Sequence, residues 1–388
     1  MLALVSAGCG TSSGNDNAAS TPGASGFKAP DIPAIDSVGK AEGELNVLAW
    51  PGYAESGQNV KSVDWVSPFE DASGCQVNVK EFGTSDDAVS LMHSGGYDVV
   101  SASGDATLRL VSAGDVQPVN TDLVPNYADE SEFLKNQKFN SVDGQMWGIP
   151  HGWGANLLMY NTDVVSPAPT SWGAVFDDAS TYKGKLTAYD SPIYIADAAL
   201  YLMNTQPDLG IKNPYSLDQD QLAAAVSLLQ QQKSSVGEYW SDYLKAIQAF
   251  KSGSTVIGTT WQVIANYAAA DAPVKTVFPD EGSTGWSDTW MVAADSEHTN
   301  CAYMWLDWMA SPKVQAQVAE WFGEAPANPK ACAFTSAGFC DDYHVTDSDY
   351  AAKIWYWTTP ISQCLDGRTD VECTTYQDWT DAWTGIKG

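Results

Sequence analysis

The chain has 388 residues, and its 48 acidic against 19 basic side chains give a formal net charge of −29 at pH 7. At about 150 residues per domain, this length predicts two domains. The charge argues against nucleic acid as a partner, because a phosphate backbone needs basic side chains to neutralise it, and against a purely electrostatic attachment to anionic lipid. No stretch approaches the roughly 18 consecutive apolar residues of a membrane-spanning helix.

The first forty or so residues are predicted to lie outside the fold. Residues 1–9 read MLALVSAGC, and the small residues before Cys9 resemble a bacterial lipobox, after which a signal peptide is cut and the cysteine is lipidated. The basic opening of a signal peptide is missing, so we interpret this segment as a partial lipoprotein signal, the alternative being a chance cysteine. Residues 10–42 are rich in Ser, Gly, Ala and Pro and predict a flexible tether. We therefore expect a protein on the extracellular face of the cytoplasmic membrane, held there only by a lipid.

Beyond residue 42, segments typical of strands and helices alternate. Apolar or alternating runs predict strands over residues 44–50, 76–82, 97–101, 157–161, 185–188 and 255–261. Helical periodicity predicts helices over residues 85–93, 218–233, 243–252, 302–310 and 313–322. The order strand, helix, strand indicates crossover connections and parallel pairing, so the expected fold class is α/β.

The cysteines other than Cys9 predict disulfides. They are Cys75, Cys301, Cys332, Cys340, Cys364 and Cys373. An even number in an exported chain favours three bonds, although six cysteines allow 15 pairings. Separations of 8 and 9 residues suit two local bonds, 332 to 340 and 364 to 373, which leaves the first two cysteines to each other. A zinc site is the alternative, but no Cys-x-x-Cys pair is present, and we expect no metal and no cofactor.

Candidate binding residues follow the predicted strands. Ligands of open parallel sheets bind beyond the carboxyl ends of the strands. Those positions hold Trp50 and Tyr53, the segment from residue 101 to Asp105, then Asp190 and Trp261. They contain aromatic rings, hydroxyl groups and carboxylates without a nucleophile and base pair, which favours binding over catalysis. Helix N-capping is the structural alternative for Asp105 and Asp190.

A series of longer motifs carries a family resemblance. GELNVLAWPGY, YDVVSAS, WGIPHGWGANLLMYN, YKGKLTAYDS, GTTWQV, VFPDEGSTGWSDTWMV and PKVQAQVAEWFGEAPANPKA occur in this order over about residues 44–330. The series resembles the spermidine/putrescine-binding type of bacterial extracellular solute-binding protein, the receptor component of an ABC importer. The resemblance implies a two-lobed, periplasmic-binding-protein type II fold, in which each lobe is a mainly parallel sheet flanked by helices and hinge strands join the lobes.

The resemblance also implies lobe boundaries and partners. Residues 43–152 and 263–296 would form the first lobe, and residues 153–262 and 297–388 the second, with a Cys-rich C-terminal extension after residue 332. The chain would work as a monomer with a small cationic ligand and with the permease subunits of the importer. It would not be an enzyme.

Carried over by position, the resemblance implies a set of ligand-binding residues. Trp50 and Tyr53 would form an aromatic clamp, Ser103 a polar contact, Asp190 an ammonium contact, and Trp240 and Trp261 further aromatic walls, while Trp286 and Asp288 would close the cleft. Asp105 stands where the family has an aromatic residue. Ile193 and Val263 stand where the family has acidic residues, so we expect a ligand shorter than spermidine or with a single charged head. The alternative functions are a secreted sugar-binding receptor and a glycoside-active protein, because Trp and Asp also suit sugars.

Overall fold

The computed structural model describes residues 27–388. Its strands are β1 (Glu44–Ala49), β2 (Gln76–Glu81), β3 (Val99–Ser103), β4 (Val116–Gln117), β5 (Ser141–Val142), β6 (Gln145–Met146), β7 (Ile149–Ala155), β8 (Leu157–Asn161), β9 (Leu186–Tyr189), β10 (Val236–Trp240), β11 (Ile257–Thr260), β12 (Val274–Val277), β13 (Ser283–Ala293), β14 (Ala325–Pro326) and β15 (Ile354–Tyr356). Its helices are α1 (Val66–Ser73), α2 (Ser85–Ser94), α3 (Gly104–Ala113), α4 (Ile195–Thr205), α5 (Gln219–Lys233), α6 (Tyr243–Ser252), α7 (Gln262–Ala269), α8 (Thr299–Met309), α9 (Pro312–Phe322), α10 (Phe339–Asp342), α11 (Ser348–Ala351) and α12 (Tyr376–Lys387). Over residues 27–388, none of the helices is long and apolar enough to cross a membrane.

Two sheets form the centres of two lobes, as the α/β pattern predicts. The first sheet has the strand order β14-β7-β13-β3-β1-β2, with β4 and β15 also paired to β13. The second sheet has the order β10-β9-β11-β8-β12. Strands around the crossover helices pair in parallel, as in β1 with β2 and β3 and in β9 with β10 and β11. The strands that run between the lobes, β7, β8 and β13, form antiparallel pairs, so both sheets are mixed.

Local sequence explains where the elements begin and end. β3 is buried along its whole length, which fits its uninterrupted run of small and apolar residues. α5 begins with a capping box, in which the Asp218 carboxylate accepts from the Gln221 backbone N–H and the Gln221 side chain accepts from Asp218 N–H. α3 ends at Gly114, whose φ of 75° is left-handed, a backbone geometry that glycine adopts without strain.

The lobe boundaries differ from the predicted ones. β12 pairs with β8 in the second sheet, so the return to the first lobe comes between β12 and β13 rather than at residue 263. α8 and α9 pack on the first sheet, where Trp305 stacks edge-on against Trp290 at 5.5 Å between ring centroids. β14 and β15 join that sheet as well. Only after β15 does the chain cross to the second lobe, where α12 packs on α5. The buried apolar faces of α8 and α9 belong to the same hydrophobic core as β1 and β13 of the first sheet.

Part of the predicted tether belongs to the first lobe. Ile35 and Val38 pack against the core of that lobe, and the Ile35 carbonyl accepts from the Asn120 side chain. The Glu42 carboxylate accepts from the backbone N–H groups of Asn300 and Cys301 at the start of α8. These contacts correct the predicted tether, because residues 27–42 lie against the folded body. Cys9 and the rest of the tether lie outside the described residues.

The three predicted disulfides are confirmed. Cys75 bonds to Cys301, Cys332 to Cys340, and Cys364 to Cys373. The first bond joins Cys75, between α1 and β2, to α8 within the buried core of the first lobe. The other two close short loops in the C-terminal segment.

Removing the long-range disulfide is expected to destabilise the protein most. We expect Cys75→Ala with Cys301→Ala to lower the free energy of unfolding by about 2–5 kcal/mol, because this bond closes a loop of 226 residues. The matched control is Cys364→Ala with Cys373→Ala, whose bond spans nine residues and therefore restrains the unfolded chain less. Urea unfolding followed by fluorescence measures both; a larger loss in the control would contradict this ranking.

Candidate functional site

A small cavity lies between the lobes at the carboxyl ends of the central strands. It has a volume of about 30 Å³ and is lined by Trp50, Ser103, Tyr189, Trp261, Trp286, Asp288, Phe322 and Trp357. We call its six aromatic residues (Trp50, Tyr189, Trp261, Trp286, Phe322 and Trp357) the aromatic box. A single water needs about 10–15 Å³ of such volume, so the lobes are closed in this structure and a solute enters only when they separate.

Both lobes and the C-terminal segment supply walls of the aromatic box. Trp50 follows β1 and Phe322 ends α9 in the first lobe, whereas Tyr189 ends β9 in the second. Trp357 follows β15 and stacks on Tyr189, with 5.4 Å between centroids and 14° between the ring planes. Because residues of both lobes line one cavity, lobe closure assembles the site.

The orientation of Trp261 is fixed by the hinge. Its indole N–H donates to Asn156 Oδ1 at 3.0 Å, and Asn156 lies between β7 and β8, where the chain first crosses between lobes. Asn156 Nδ2 in turn donates to Thr284 Oγ1 at 2.7 Å, at the start of β13. The ring is therefore held by two of the strands that connect the lobes.

Asp288 is the carboxylate in the cavity lining. It lies on β13 directly opposite Ser103 of β3, which places both side chains at the cleft. Asp288 is 4% exposed, and its Oδ1 is buried without a hydrogen-bond partner among residues 27–388. Burial raises the pKa of Asp288 to about 6, although the neighbouring hydroxyl groups of Ser103 and Tyr53 oppose the shift. At pH 7 this carboxylate is ionised and has one oxygen free for a cation.

Behind Asp288 lies a buried hydrogen-bond chain. The Tyr53 hydroxyl group is 2.8 Å from Asp288 Oδ2 and 2.7 Å from Glu324 Oε2. His151 Nε2 is 3.7 Å from Glu324 Oε1. Burial lowers the pKa of His151 to about 3, so this ring is neutral and supplies no counter-charge. Burial raises the pKa of Glu324 well above its usual range, while the Tyr53 hydrogen bond acts in the opposite direction.

The structure brings most of the predicted site residues together. Trp50, Ser103, Trp261, Trp286 and Asp288 line the cavity. Tyr53 lies behind the cavity, hydrogen-bonded to Asp288. Trp240 also lies behind it and packs edge-on against Trp261 at 4.9 Å between centroids, which supports that wall.

Two predicted carboxylates lie elsewhere. Asp190 accepts hydrogen bonds from Lys387 Nζ at 2.6 Å and from the Trp383 indole at 3.2 Å, both on α12. Side chains alternate along a strand, so with Tyr189 facing the cavity its neighbour points away from it. Asp105 is buried in the first turn of α3, where it accepts from the Ser85 hydroxyl group at 3.0 Å. Asp190 and Asp105 are therefore removed from the set of residues lining the cavity.

Four residues near the site were missed by the sequence reasoning: Tyr189, Phe322, Glu324 and Trp357. Tyr189 could have been found by applying strand alternation to the end of β9, where it precedes Asp190. Trp357 lies in a Trp-Tyr-Trp cluster that is typical of core, and its position depends on pairing between β13 and β15, whose partner residues, such as Ser283 and Ile354, are 71 positions apart. No local sequence signal distinguishes Phe322 and Glu324 from other residues near the end of α9.

Gly104 allows the C-terminal segment to approach the box. A Cβ at this position would overlap the Trp357 carbonyl group and lie 2.9 Å from the Phe139 Cβ. We therefore expect Gly104→Ala to displace the segment that carries Trp357, to cost about 1–3 kcal/mol of stability and to weaken ligand binding. Gly385→Ala is the matched control, since nothing lies within 4 Å of its added methyl group. Thermal unfolding and titration calorimetry measure both effects, and unchanged binding in Gly104→Ala would contradict this role.

A second, acidic opening adjoins the aromatic box. We call it the rim groove; its volume is about 270 Å³ and it is lined by Pro51, Gly52, Glu55, Asn59, Glu81, Tyr243, Val263, Tyr267, Trp321 and Phe322. Phe322 is shared with the aromatic box. Glu55 is 6% exposed and accepts from Asn59 through one oxygen. The lining contains two carboxylates and no lysine or arginine, so this opening favours cations.

The fold and the site define a class of protein: two lobes that close on a small molecule at the ends of their strands. Residues 64–346 match the family model described as bacterial extracellular solute-binding protein, and the chain belongs to that family. It is 25% identical over 361 residues to the putrescine-binding periplasmic protein SpuD of Pseudomonas aeruginosa, covering 88% of this chain and 91% of the relative. It is also 25% identical to the spermidine/putrescine-binding periplasmic protein of Escherichia coli, over 69% of this chain and 74% of the relative.

Solved structures agree on the fold. A putative spermidine/putrescine ABC transporter protein from Listeria monocytogenes superimposes with a TM-score of 0.71 at 18% identity, covering 89% of this chain and 99% of the other. The predicted two-lobed α/β fold and the predicted family are confirmed. The chain is a solute-binding protein rather than an enzyme. Among residues 27–388, no group of three or more His, Cys, Asp or Glu side chains is placed to hold a metal ion.

Proposed function

We propose that the protein is the lipid-anchored receptor of an ABC importer and that it captures a small amine cation in the aromatic box. The observation that carries this proposal is Asp288, which lines a cavity walled by six aromatic rings and whose buried Oδ1 has no hydrogen-bond partner among residues 27–388. Ring faces attract cations through their quadrupole, and they also suit the methylene groups of an alkylamine. The names of the curated relatives, which bind putrescine or spermidine, support the same ligand class.

The number of carboxylates argues for one ammonium group in the box. Asp288 is the carboxylate in the lining, and Asp190 is paired with Lys387 outside it. Ile193, at a position where the resemblance implies an acid, is buried in the apolar core of the second lobe. A second ammonium group inside the box would be desolvated without a partner, which is strongly unfavourable. The ligand is therefore either a cation with a single charged head or a diamine whose second head lies outside the box.

The rim groove is where the second head of a diamine would lie. Glu55 and Glu81 supply carboxylates there, and Tyr243 lines the same groove. Burial raises the pKa of Tyr243, and the negative charges of Glu55 and Glu81 raise it further. A linear diamine would then run past Phe322, from Asp288 in the box to the groove. The second candidate ligand class is therefore a putrescine-like diamine.

A binding panel tests the proposal. Thermal shift and titration calorimetry are measured with butylamine, putrescine, spermidine, choline, an amino acid and a neutral sugar, because a ligand bound by the folded state raises the apparent stability. We expect the amines to bind and the sugar not to bind. Tight binding of the sugar with no binding of any amine would support the sugar-receptor alternative instead.

The same panel separates the two amine classes. If the groove holds a second ammonium group, putrescine binds more tightly than butylamine, and Glu55→Gln with Glu81→Gln removes that preference while butylamine binding persists. Glu238→Gln, in β10 of the second lobe, serves as the control outside the groove. Equal binding of both ligands to the wild type would assign the site to a single charged head.

Membrane attachment and the permease partner complete the proposal. Lipidation at Cys9 would hold the receptor beside the importer, and the monomeric receptor would present its closed form to the permease subunits. Intact-mass analysis of protein extracted from membranes should show a diacylglyceryl adduct on a chain that begins at Cys9. A mature chain without lipid would refute the anchor and leave the binding proposal untouched.

A further inference from the structure

The contacts of Tyr53 require that one of two buried carboxyl groups keeps its proton. A phenol has one hydrogen and donates it to one acceptor at a time. Yet its oxygen is at hydrogen-bond distance from Asp288 Oδ2 and from Glu324 Oε2, at 2.8 and 2.7 Å. If both carboxyl groups were ionised, one of these contacts would bring two oxygens together without a hydrogen, in a region shielded from water. One carboxyl group therefore carries the second hydrogen.

The surroundings assign that proton to Glu324. It is 2% exposed, and its carboxyl group fills the space beside Gly152 of β7 that a Cβ would occupy. His151 beside it is neutral, so no cation compensates an ionised Glu324. Asp288 instead lines the cavity, where a cationic ligand would compensate its charge.

The other titratable groups near Glu324 supply no cation at its carboxyl group. From the elements packed around it these groups are Tyr53, His151, Asp288, Asp342, Tyr343, His344 and Tyr350. His344 pairs with Asp347 at 3.6 Å and stacks on Tyr350. The charge of Asp288 only increases the tendency of Glu324 to remain neutral.

We propose that Glu324 is a protonated positioning residue that donates to Tyr53, which in turn donates to Asp288, and so limits the site to one negative charge. The chain Glu324–Tyr53–Asp288 orients the Asp288 carboxylate with Oδ1 toward the aromatic box. This hydrogen-bond chain makes the aromatic box selective for a ligand head with one positive charge. The inference rests on the proposed function and specifies the ligand class of the same site. Asp288 touches the ligand, whereas Glu324 acts through Tyr53.

Glu324→Gln separates this role from that of a second ionic contact. An amide keeps the donor and the shape of a protonated carboxyl group, so we expect the dissociation constant for putrescine at pH 7 to stay within about threefold of wild type. Removal of an ionised carboxylate would instead weaken binding by more than tenfold, and that result would overturn the proposal. Tyr53→Phe provides the second variant. It removes the central link of the hydrogen-bond chain, and we expect the pH below which binding weakens to move upward. An unchanged pH profile would contradict the proposed hydrogen-bond chain.

Infrared spectroscopy of the free protein tests the proton without any ligand. The difference spectrum between wild type and Glu324→Gln at pH 7 should show loss of a protonated carboxylic acid carbonyl band. Other buried acids, such as Asp197 and Glu130, are present in both proteins and cancel. Loss of a carboxylate band instead would overturn the proposal. If neither butylamine nor putrescine binds wild type, the proposed ligand class is wrong, and the infrared result still decides where the proton lies.

Discussion

Asp288→Asn is expected to raise the dissociation constant for putrescine by at least about 100-fold. The substitution keeps the size of the side chain but leaves the ammonium group desolvated without a charge partner, and breaking such a buried pair costs about 3–5 kcal/mol. At about 1.4 kcal/mol per tenfold change, this corresponds to two decades or more. Titration calorimetry measures the affinity, and thermal unfolding checks that the variant is folded.

Asp190→Asn is the matched control for this prediction. Its carboxylate also follows a central strand, but it is bonded to Lys387 and Trp383 on α12, away from the cavity. We expect the affinity to remain within about twofold of wild type, with at most a small loss of stability because the ion pair is partly exposed. A large loss of affinity in Asp190→Asn, with Asp288→Asn unaffected, would reverse the assignment of the ammonium contact.

The parts of the structure that were predictable from sequence depend on local patterns. β1 and β8 are short apolar runs, and α5 and α6 have clear helical periodicity, so these elements lie within one residue of their predicted bounds. β3 is also a short apolar run, but it begins two residues later than predicted. The two local disulfides follow from cysteine spacing alone. The first-lobe side of the site follows as well, because Trp50 and Ser103 end parallel strands.

The remaining parts depend on contacts between distant segments. The pattern of α8 predicts an amphipathic helix, but it does not tell which of the two sheets the helix covers. Residues 299–322 were therefore predicted in the second lobe, whereas they pack in the core of the first. Trp357 reaches the box only because β15 pairs with β13. Asp190 has the residue type and the strand-end position of a ligand contact, yet α12, nearly 200 residues later in the chain, brings Lys387 to it.

The affinity for an amine is expected to fall by about tenfold for each pH unit below about 6. The free protein holds Asp288 with a pKa of about 6 because of burial, and the ligand cation competes with the proton for its carboxylate. Putrescine keeps its charge over this range, since alkylamines like that of lysine lose their protons only near pH 10. Titrations between pH 4 and pH 8 should therefore show a plateau above about pH 7 and a steady decline below pH 6.

The same carboxyl group should change the stability of the free protein in the opposite direction. Its pKa in the folded state lies above that of an unfolded aspartate, so between about pH 4 and pH 6 the folded state binds more protons than the unfolded state. The contribution of Asp288 to stability is therefore present at low pH and is lost as the pH rises through about 6. Asp105, whose pKa burial also raises to about 6, adds a loss of the same sign.

Asp105→Asn separates the two carboxyl groups. Asp105 lies outside the cavity lining, so this variant should flatten part of the stability profile while the affinity still declines below about pH 6. The measurements are the unfolding temperature of the free protein and the dissociation constant for putrescine, each over the same pH series. A decline in affinity that disappears in Asp105→Asn would assign the titrating group to Asp105 instead of Asp288. If the decline persists, the proton and the ligand compete for the same oxygen atoms, which is the behaviour expected of a carboxylate that binds the ammonium group directly.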